Sequence, residues 1–211
     1  MEAVFPNAFY DSDNRTDPPK CHPNTRVAVI NKIIDWVTGP SDTNATFMLW
    51  LYGPAGAGKT AIARRVAEIF ANHGRLLVSF LFFRSDPKRN TMKPLVANIA
   101  YRVATVIHGA CEPIEAVIEA DPFILSYSIE TQLEKFVFEP LRLLVDQGYF
   151  CNWQFPRLIV IDGLDECLNK DSQTNLVQLI SSSVARYQLS LKFLIVQNPI
   201  SSQLLPSLSS S

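Results

Sequence analysis

Two short segments hold side chains whose types and spacing fit a defined chemistry. Gly53-Pro54-Ala55-Gly56-Ala57-Gly58-Lys59-Thr60 fits the pattern G-x-x-x-x-G-K-[ST]. Glycines at these places let the chain curl until successive backbone N–H groups point inward as an anion cradle, and a helix that starts there adds the partial positive charge of its N-terminus. Phosphate is the occupant this suits. Lys59 would serve the β- and γ-phosphates as a point charge, and the Thr60 hydroxyl would ligate Mg²⁺. The second segment is Leu158-Ile159-Val160-Ile161-Asp162-Gly163-Leu164-Asp165-Glu166. Here an apolar run delivers acids at its end. Asp162 is placed to hold Mg²⁺ through water, and Asp165 or Glu166 to orient an attacking water or accept its proton. The alternative for Asp165 and Glu166 is that they are acids at a helix N-terminus, where the dipole stabilises each by only ~0.3–1 kcal/mol.

These segments need a frame that brings them to one edge. Phe47 to Tyr52 is a continuous apolar run that ends at Gly53, the pattern of a strand buried on both faces. Leu76–Phe83, Leu158–Ile161 and Leu191–Val196 repeat it. Between the strands lie helical spacings. Val27, Ile30, Ile33, Ile34 and Val37 predict a helix that Thr25 caps and Gly39-Pro40 stops. Ile62, Val66, Ile69 and Phe70 predict another from Lys59 to Asn72, closed by Gly74. Two more patterns, Leu95 to Ile107 and Leu133 to Leu144, follow, and Pro140 should kink or break the second. Leu176, Leu179, Ile180 and Val184 mark a last helix. Alternation of strand and helix means an α/β fold with a parallel sheet. In such sheets ligands bind at the carboxyl ends of the strands, where both chemical segments fall. Residues 1–22 read as a flexible lead-in and residues 201–211 as a Ser-rich disordered tail. The Arg84–Asn90 loop, with Lys88 and Arg89, reads as a solvated connection.

Composition narrows the partners. Of the 211 residues 47% are apolar, and 19 basic residues nearly balance 20 acidic ones, so no strong positive field exists to attract nucleic acid. The longest apolar run, Leu76 to Phe83, is under half the ~20 residues that span a bilayer, and the lead-in lacks the features of a secretory signal. The cytoplasm is the expected compartment. Cys21, Cys111, Cys151 and Cys167 show no C-x-x-C spacing and do not pair with His22, His73 or His108, which predicts reduced thiols and no zinc site. Trp36, Trp50 and Trp153 read as core or interface aromatics.

The pairing of GPAGAGKT with LIVIDGLDE resembles the NACHT domain of STAND signalling NTPases, the fungal branch in particular. The resemblance extends to Thr25-Arg26, to FFRSDPKRN-x-x-KPLVANIAY, and to the Asp121–Leu141 stretch with Gln132 and Pro140-Leu141, so it covers about residues 21 to 199. It implies a P-loop NTPase three-layer fold over residues 23–200, with sheet order 5-1-4-3-2 and the fourth strand between those that carry Gly53 and Asp162. It further implies binding of ATP or ADP with Mg²⁺, slow hydrolysis, and switching coupled to self-association in a longer parent protein. Arg26, by the same resemblance, would lie near the adenine pocket.

Two departures modify these expectations. Where the family ends its fourth strand with Ser/Thr-Arg-Pro, this chain reads Gln197-Asn198-Pro199. Asn198 can hydrogen-bond a phosphate oxygen but brings no charge, and charge-assisted bonds are roughly twice as strong. The sequence also ends soon after strand four. The expectation is therefore a C-terminally truncated domain lacking strand five, with an unpaired edge on strand one and barely measurable ATPase in isolation. Three readings follow: a nucleotide-binding signalling switch domain, a non-catalytic fragment of one, and a metabolic P-loop kinase. Against the kinase, no Arg-rich lid segment follows the acidic strand, where only Arg186 occurs.

Overall fold

The structure is a computed structural model and describes residues 26–39, 46–148 and 157–199. Its elements are α1 (Val27–Thr38), β1 (Met48–Tyr52), α2 (Lys59–Asn72), β2 (Leu76–Leu81), α3 (Met92–Val106), α4 (Cys111–Ala120), α5 (Ile129–Leu133), α6 (Glu139–Asp146), β3 (Leu158–Asp162), α7 (Lys170–Tyr187) and β4 (Lys192–Gln197). All strand pairings are parallel, and the order across the sheet is β1-β4-β3-β2. This is the 1-4-3-2 portion of the expected order. Among the described residues β1 pairs with β4 alone, and the lead-in and Ser-rich tail lie outside those residues.

Helices cover both faces of the sheet. Because successive strand residues point to opposite faces, Leu158, Val160, Leu194 and Val196 pack on one side against Ile30, Ile33 and Val37 of α1 and Ile62, Val66 and Phe70 of α2. Ile159, Ile161, Phe193 and Ile195 point the other way, into the larger core formed with α3 through α7. There the Phe80 and Phe82 rings meet edge to face, with centroids 4.9 Å apart at 71°. Every residue of β3 and β4 is buried, as an apolar run without alternation requires.

The helix boundaries show where local pattern and tertiary packing part. Helix α2 ends as predicted: Gly74 takes φ +66, its N–H reaches Ala71 O at 2.9 Å, and the Arg75 N–H reaches Phe70 O at 2.8 Å. At α1 the N-cap is Arg26, left-handed at φ 60, with no side-chain cap, while Thr25 lies outside the described residues. The expected break at Pro140 takes a specific form. A five-residue π turn, Glu134–Phe138, joins α5 to α6, and Pro140 sits in the first turn of α6. Proline has no N–H and its ring collides with the carbonyl four residues back, and widening the preceding turn accommodates both effects without ending the helix. Helix α4 is an addition to the predicted pattern. Its apolar stripe is short, Ile114, Val117 and Ile118 at helical spacing, and only Ile114 of its ten residues is buried.

Candidate phosphate-binding site

Residues 53–58 connect the carboxyl end of β1 to the first turn of α2. Gly56 at φ +78 and Gly58 at φ +77 carry the backbone through conformations that cost an L-residue energy, and Gly58 is the N-cap of α2. A Cβ at Gly58 would meet the Arg26 guanidinium, so Arg26 lies directly over the phosphate loop. The Lys59 ammonium lies within the loop's curl, where Nζ donates to Gly53 O at 2.8 Å, to Pro54 O at 3.0 Å and to Asn198 Oδ1 at 2.9 Å.

β3 delivers Asp162 to the same edge, buried and in register with Val196 of β4. Gly163 then turns the chain at φ +72, with its N–H on Val196 O at 2.8 Å, and Leu164–Glu166 form a 3-10 turn. Asp165 and Glu166 belong to that turn. Helix α7 begins only at Lys170, capped by the Asn169 side chain, so neither acid is a dipole-stabilised residue of its first turn. Asp165 Oδ1 accepts the Asn198 N–H at 3.1 Å, and Asp165 Oδ2 accepts from Asn198 Nδ2 at 2.8 Å. Glu166 Oε2 accepts the Arg84 N–H at 3.0 Å, and the Arg84 guanidinium donates to Asp165 O at 2.9 Å.

The Arg84–Asn90 loop is largely exposed, as expected of a solvated connection, and is also pinned by hydrogen bonds. Asn90 is buried, its Nδ2 donates to Arg84 O at 3.2 Å, and the Leu168 N–H donates to Asn90 O at 2.9 Å. Asp86 pairs with Arg89 at 2.7 Å, and the hydrogen bond from Arg89 holds the Asp86 carboxyl below its ordinary value, aided by the Lys88 N–H. Arg89 also lies 5.3 Å over the Phe83 ring. Composition gave no cue for Arg84 as an anchor of the acidic turn, because its partners are more than eighty positions away in the chain.

Together these elements enclose a cleft of about 380 Å³, within the range of small-molecule sites. Ala55, Gly56, Gly58, Lys59, Thr60, Asp162, Asp165 and Glu166 of the predicted set line it, joined by Gln197 and Asn198. Gly53 and Pro54 contribute through their carbonyls on Lys59, Ala57 closes the loop through its N–H on Pro54 O at 3.2 Å, and Arg26 contributes from above Gly58.

The residues fit a phosphate with a hydrated cation. Gln197 Oε1 is buried and has no hydrogen-bond partner among the described residues, so a donor-bearing group in the cleft would satisfy it. Among the described residues no three of His, Cys, Asp and Glu gather into a metal cage. Mg²⁺ needs none, since it is held by one or two carboxylates with phosphate oxygens and water.

Fold and site define the class: a parallel α/β domain with helices on both faces, compatible with a P-loop-like three-layer architecture, and a glycine-rich loop facing an acidic strand end. The family model "Nephrocystin 3, N-terminal" matches residues 29–197, and the chain belongs to that family. No curated protein and no solved structure matches it significantly. No helix among the described residues is long and apolar enough to cross a membrane.

Proposed function

We propose that this chain is a nucleotide-binding switch domain of the NACHT type, binding ATP or ADP with Mg²⁺ in the cytoplasm as the regulatory module of a longer, self-associating signalling protein. The observation that carries the reading is the meeting of Lys59 and Thr60 with Asp162 across one cleft, on the strands and at the sheet edge such a site requires. In this reading the loop N–H groups and Lys59 hold the phosphates, while Thr60 and Asp162 hold Mg²⁺. The cation neutralises phosphate charge when bound. Asp165 or Glu166 would orient the attacking water.

A second reading, a domain that binds nucleotide without cycling it, is supported by the occupancy of both candidate bases. Asn198 takes both oxygens of Asp165, and the Arg84 N–H holds Glu166. Each of these bonds competes with a water for the carboxylate, so turnover in this chain is expected to be barely measurable.

The test is the thermal midpoint of the purified chain with and without millimolar ADP·Mg²⁺ or ATP·Mg²⁺. Ligand at 100 times its Kd stabilises by about 2.7 kcal/mol, a rise of several degrees at this size. The rise should vanish in Lys59→Ala. A cooperatively folded protein with no rise would refute nucleotide binding. Multiple-turnover ATPase near ~1 s⁻¹, a rate ordinary for dedicated phosphoryl-transfer enzymes, would refute the non-cycling expectation.

A further inference from the structure

We propose that Arg157 and Lys192 form an anion site at the amino-terminal edge of the sheet, suited to a small oxyanion such as phosphate or a short dicarboxylate. The inference stands apart from the nucleotide reading above, because the length of β4 separates Lys192, its first residue, from Gln197 at the cleft by about 16 Å. Both residues are more than nine-tenths buried, Arg157 at 8% exposure and Lys192 at 5%. Arg157 immediately precedes β3, and the Lys192 N–H donates to its carbonyl at 2.8 Å. Two cations therefore stand side by side where neighbouring strands begin.

Among the described residues no carboxylate lies within ion-pair distance of either cation. The Arg157 guanidinium donates through Nη2 to Val37 O, while its buried Nε has no partner among the described residues. An ammonium carries three N–H groups, and Lys192 Nζ places one on Thr46 O at 3.1 Å, an oxygen that already holds the Trp36 indole N–H at 2.6 Å. The face of the Trp36 ring, 5.3 Å away, supports the ammonium further. A third basic residue begins the next strand over: Arg75 O accepts the Arg157 N–H at 3.1 Å. Burial, and then the Arg75 charge, lower the Arg157 pKa, as burial and the Arg157 charge lower that of Lys192. Burying like charges together without an anion is costly, and a guanidinium does not shed its proton to escape. An oxyanion that accepts the orphan Nε–H together with the remaining ammonium hydrogens supplies both the missing charge and the missing acceptors, in charge-assisted bonds whose geometry its paired oxygens match.

The experiment follows the thermal midpoint of the full chain as sodium phosphate, sulfate or succinate is raised through the millimolar range, against sodium chloride at matched ionic strength. It is run on Lys59→Ala as well as wild type, so that the cleft at the other end of the strands does not supply the effect. In both, at least one oxyanion should raise the midpoint saturably, by several degrees at 100 times its Kd, while chloride should not. The phosphate and succinate arms tell a tetrahedral anion from a carboxylate. Adding Lys192→Met should abolish the rise. Arg157→Lys, which keeps the charge but lacks the Nε–H, should weaken the anion about tenfold. Absence of an oxyanion-specific rise in the Lys59→Ala protein overturns the proposal, and so does a rise that survives undiminished in Lys192→Met or Arg157→Lys.

Discussion

Replacing Lys59 by methionine should destabilise the protein in the absence of any nucleotide. A phosphate-loop lysine whose only partner was its ligand would be a buried or half-buried cation in the empty protein, and its removal would be neutral or stabilising. Here the ammonium links the two ends of its own loop to the end of β4 through three hydrogen bonds. The bond to Pro54 O is exposed, and water replaces it at little cost. Those to Gly53 O and Asn198 Oδ1 are partly buried, and at about 1 kcal/mol each they contribute about 2 kcal/mol. For a domain of this size the loss lowers the thermal midpoint by about 4–8 °C. Methionine keeps the length and apolar stem, so little packing is lost with the charge. The assay is differential scanning fluorimetry of nucleotide-free Lys59→Met against wild type, with urea unfolding to verify an unchanged m-value. A midpoint equal to or above that of wild type would refute the reasoning, because it would mean that the bridge stores no stability. The same result governs the ligand assay: nucleotide shifts must be compared within each variant, since the variants start from different midpoints.

Other expectations concern the ends of the sheet. Lys192 is buried at the start of β4, its Nζ donating to Thr46 O at 3.1 Å and lying 5.3 Å over the Trp36 ring. Burial lowers its pKa from the usual lysine value, and the nearby Arg157 guanidinium lowers it further. The unfolded chain therefore holds the proton to higher pH than the folded one, so this group makes stability rise with pH in the alkaline range below 10.5. Lys192→Met should melt no lower than wild type near neutral pH and should lose that component of the pH slope, since Thr46 O keeps the Trp36 N–H at 2.6 Å. A drop of more than a few degrees at neutral pH would contradict this. At the acidic turn, Gly163→Ala should cost more than Gly74→Ala, although both glycines have positive φ. A Cβ at Gly163 comes within 3.1 Å of Phe82 O, whereas one at Gly74 meets nothing within 4 Å. The expected losses are about 2–3 and about 1 kcal/mol, and equal losses in chemical denaturation would show that the contact with Phe82 is irrelevant.

The strands and most helices were legible because their signal is local. The largely apolar runs Phe47–Tyr52, Leu76–Phe83, Leu158–Ile161 and Leu191–Val196, separated by helical spacings, pointed to buried parallel strands, and G-x-x-x-x-G-K-T carries its turn and helix start within eight residues. Helix α4 escaped although Ile114, Val117 and Ile118 stand at helical spacing, because that stripe is a single turn long, and the π turn before Pro140 escaped because a proline announces a disturbance without specifying its form. The protein partners of Asn198 and Arg84 were invisible for a different reason. A polar side chain's partner is fixed by which segments the sheet brings side by side, and β3 and β4 become neighbours only through the order β1-β4-β3-β2. The sequence by itself determined which atoms could meet a phosphate: the loop, its lysine and threonine, and the acids after β3. Only the tertiary structure decided which protein partners those atoms take. Lys59 bonds to a residue 139 positions away and Asp165 to one 33 positions away, because unsatisfied polar groups at a closed strand edge take the nearest complementary partner.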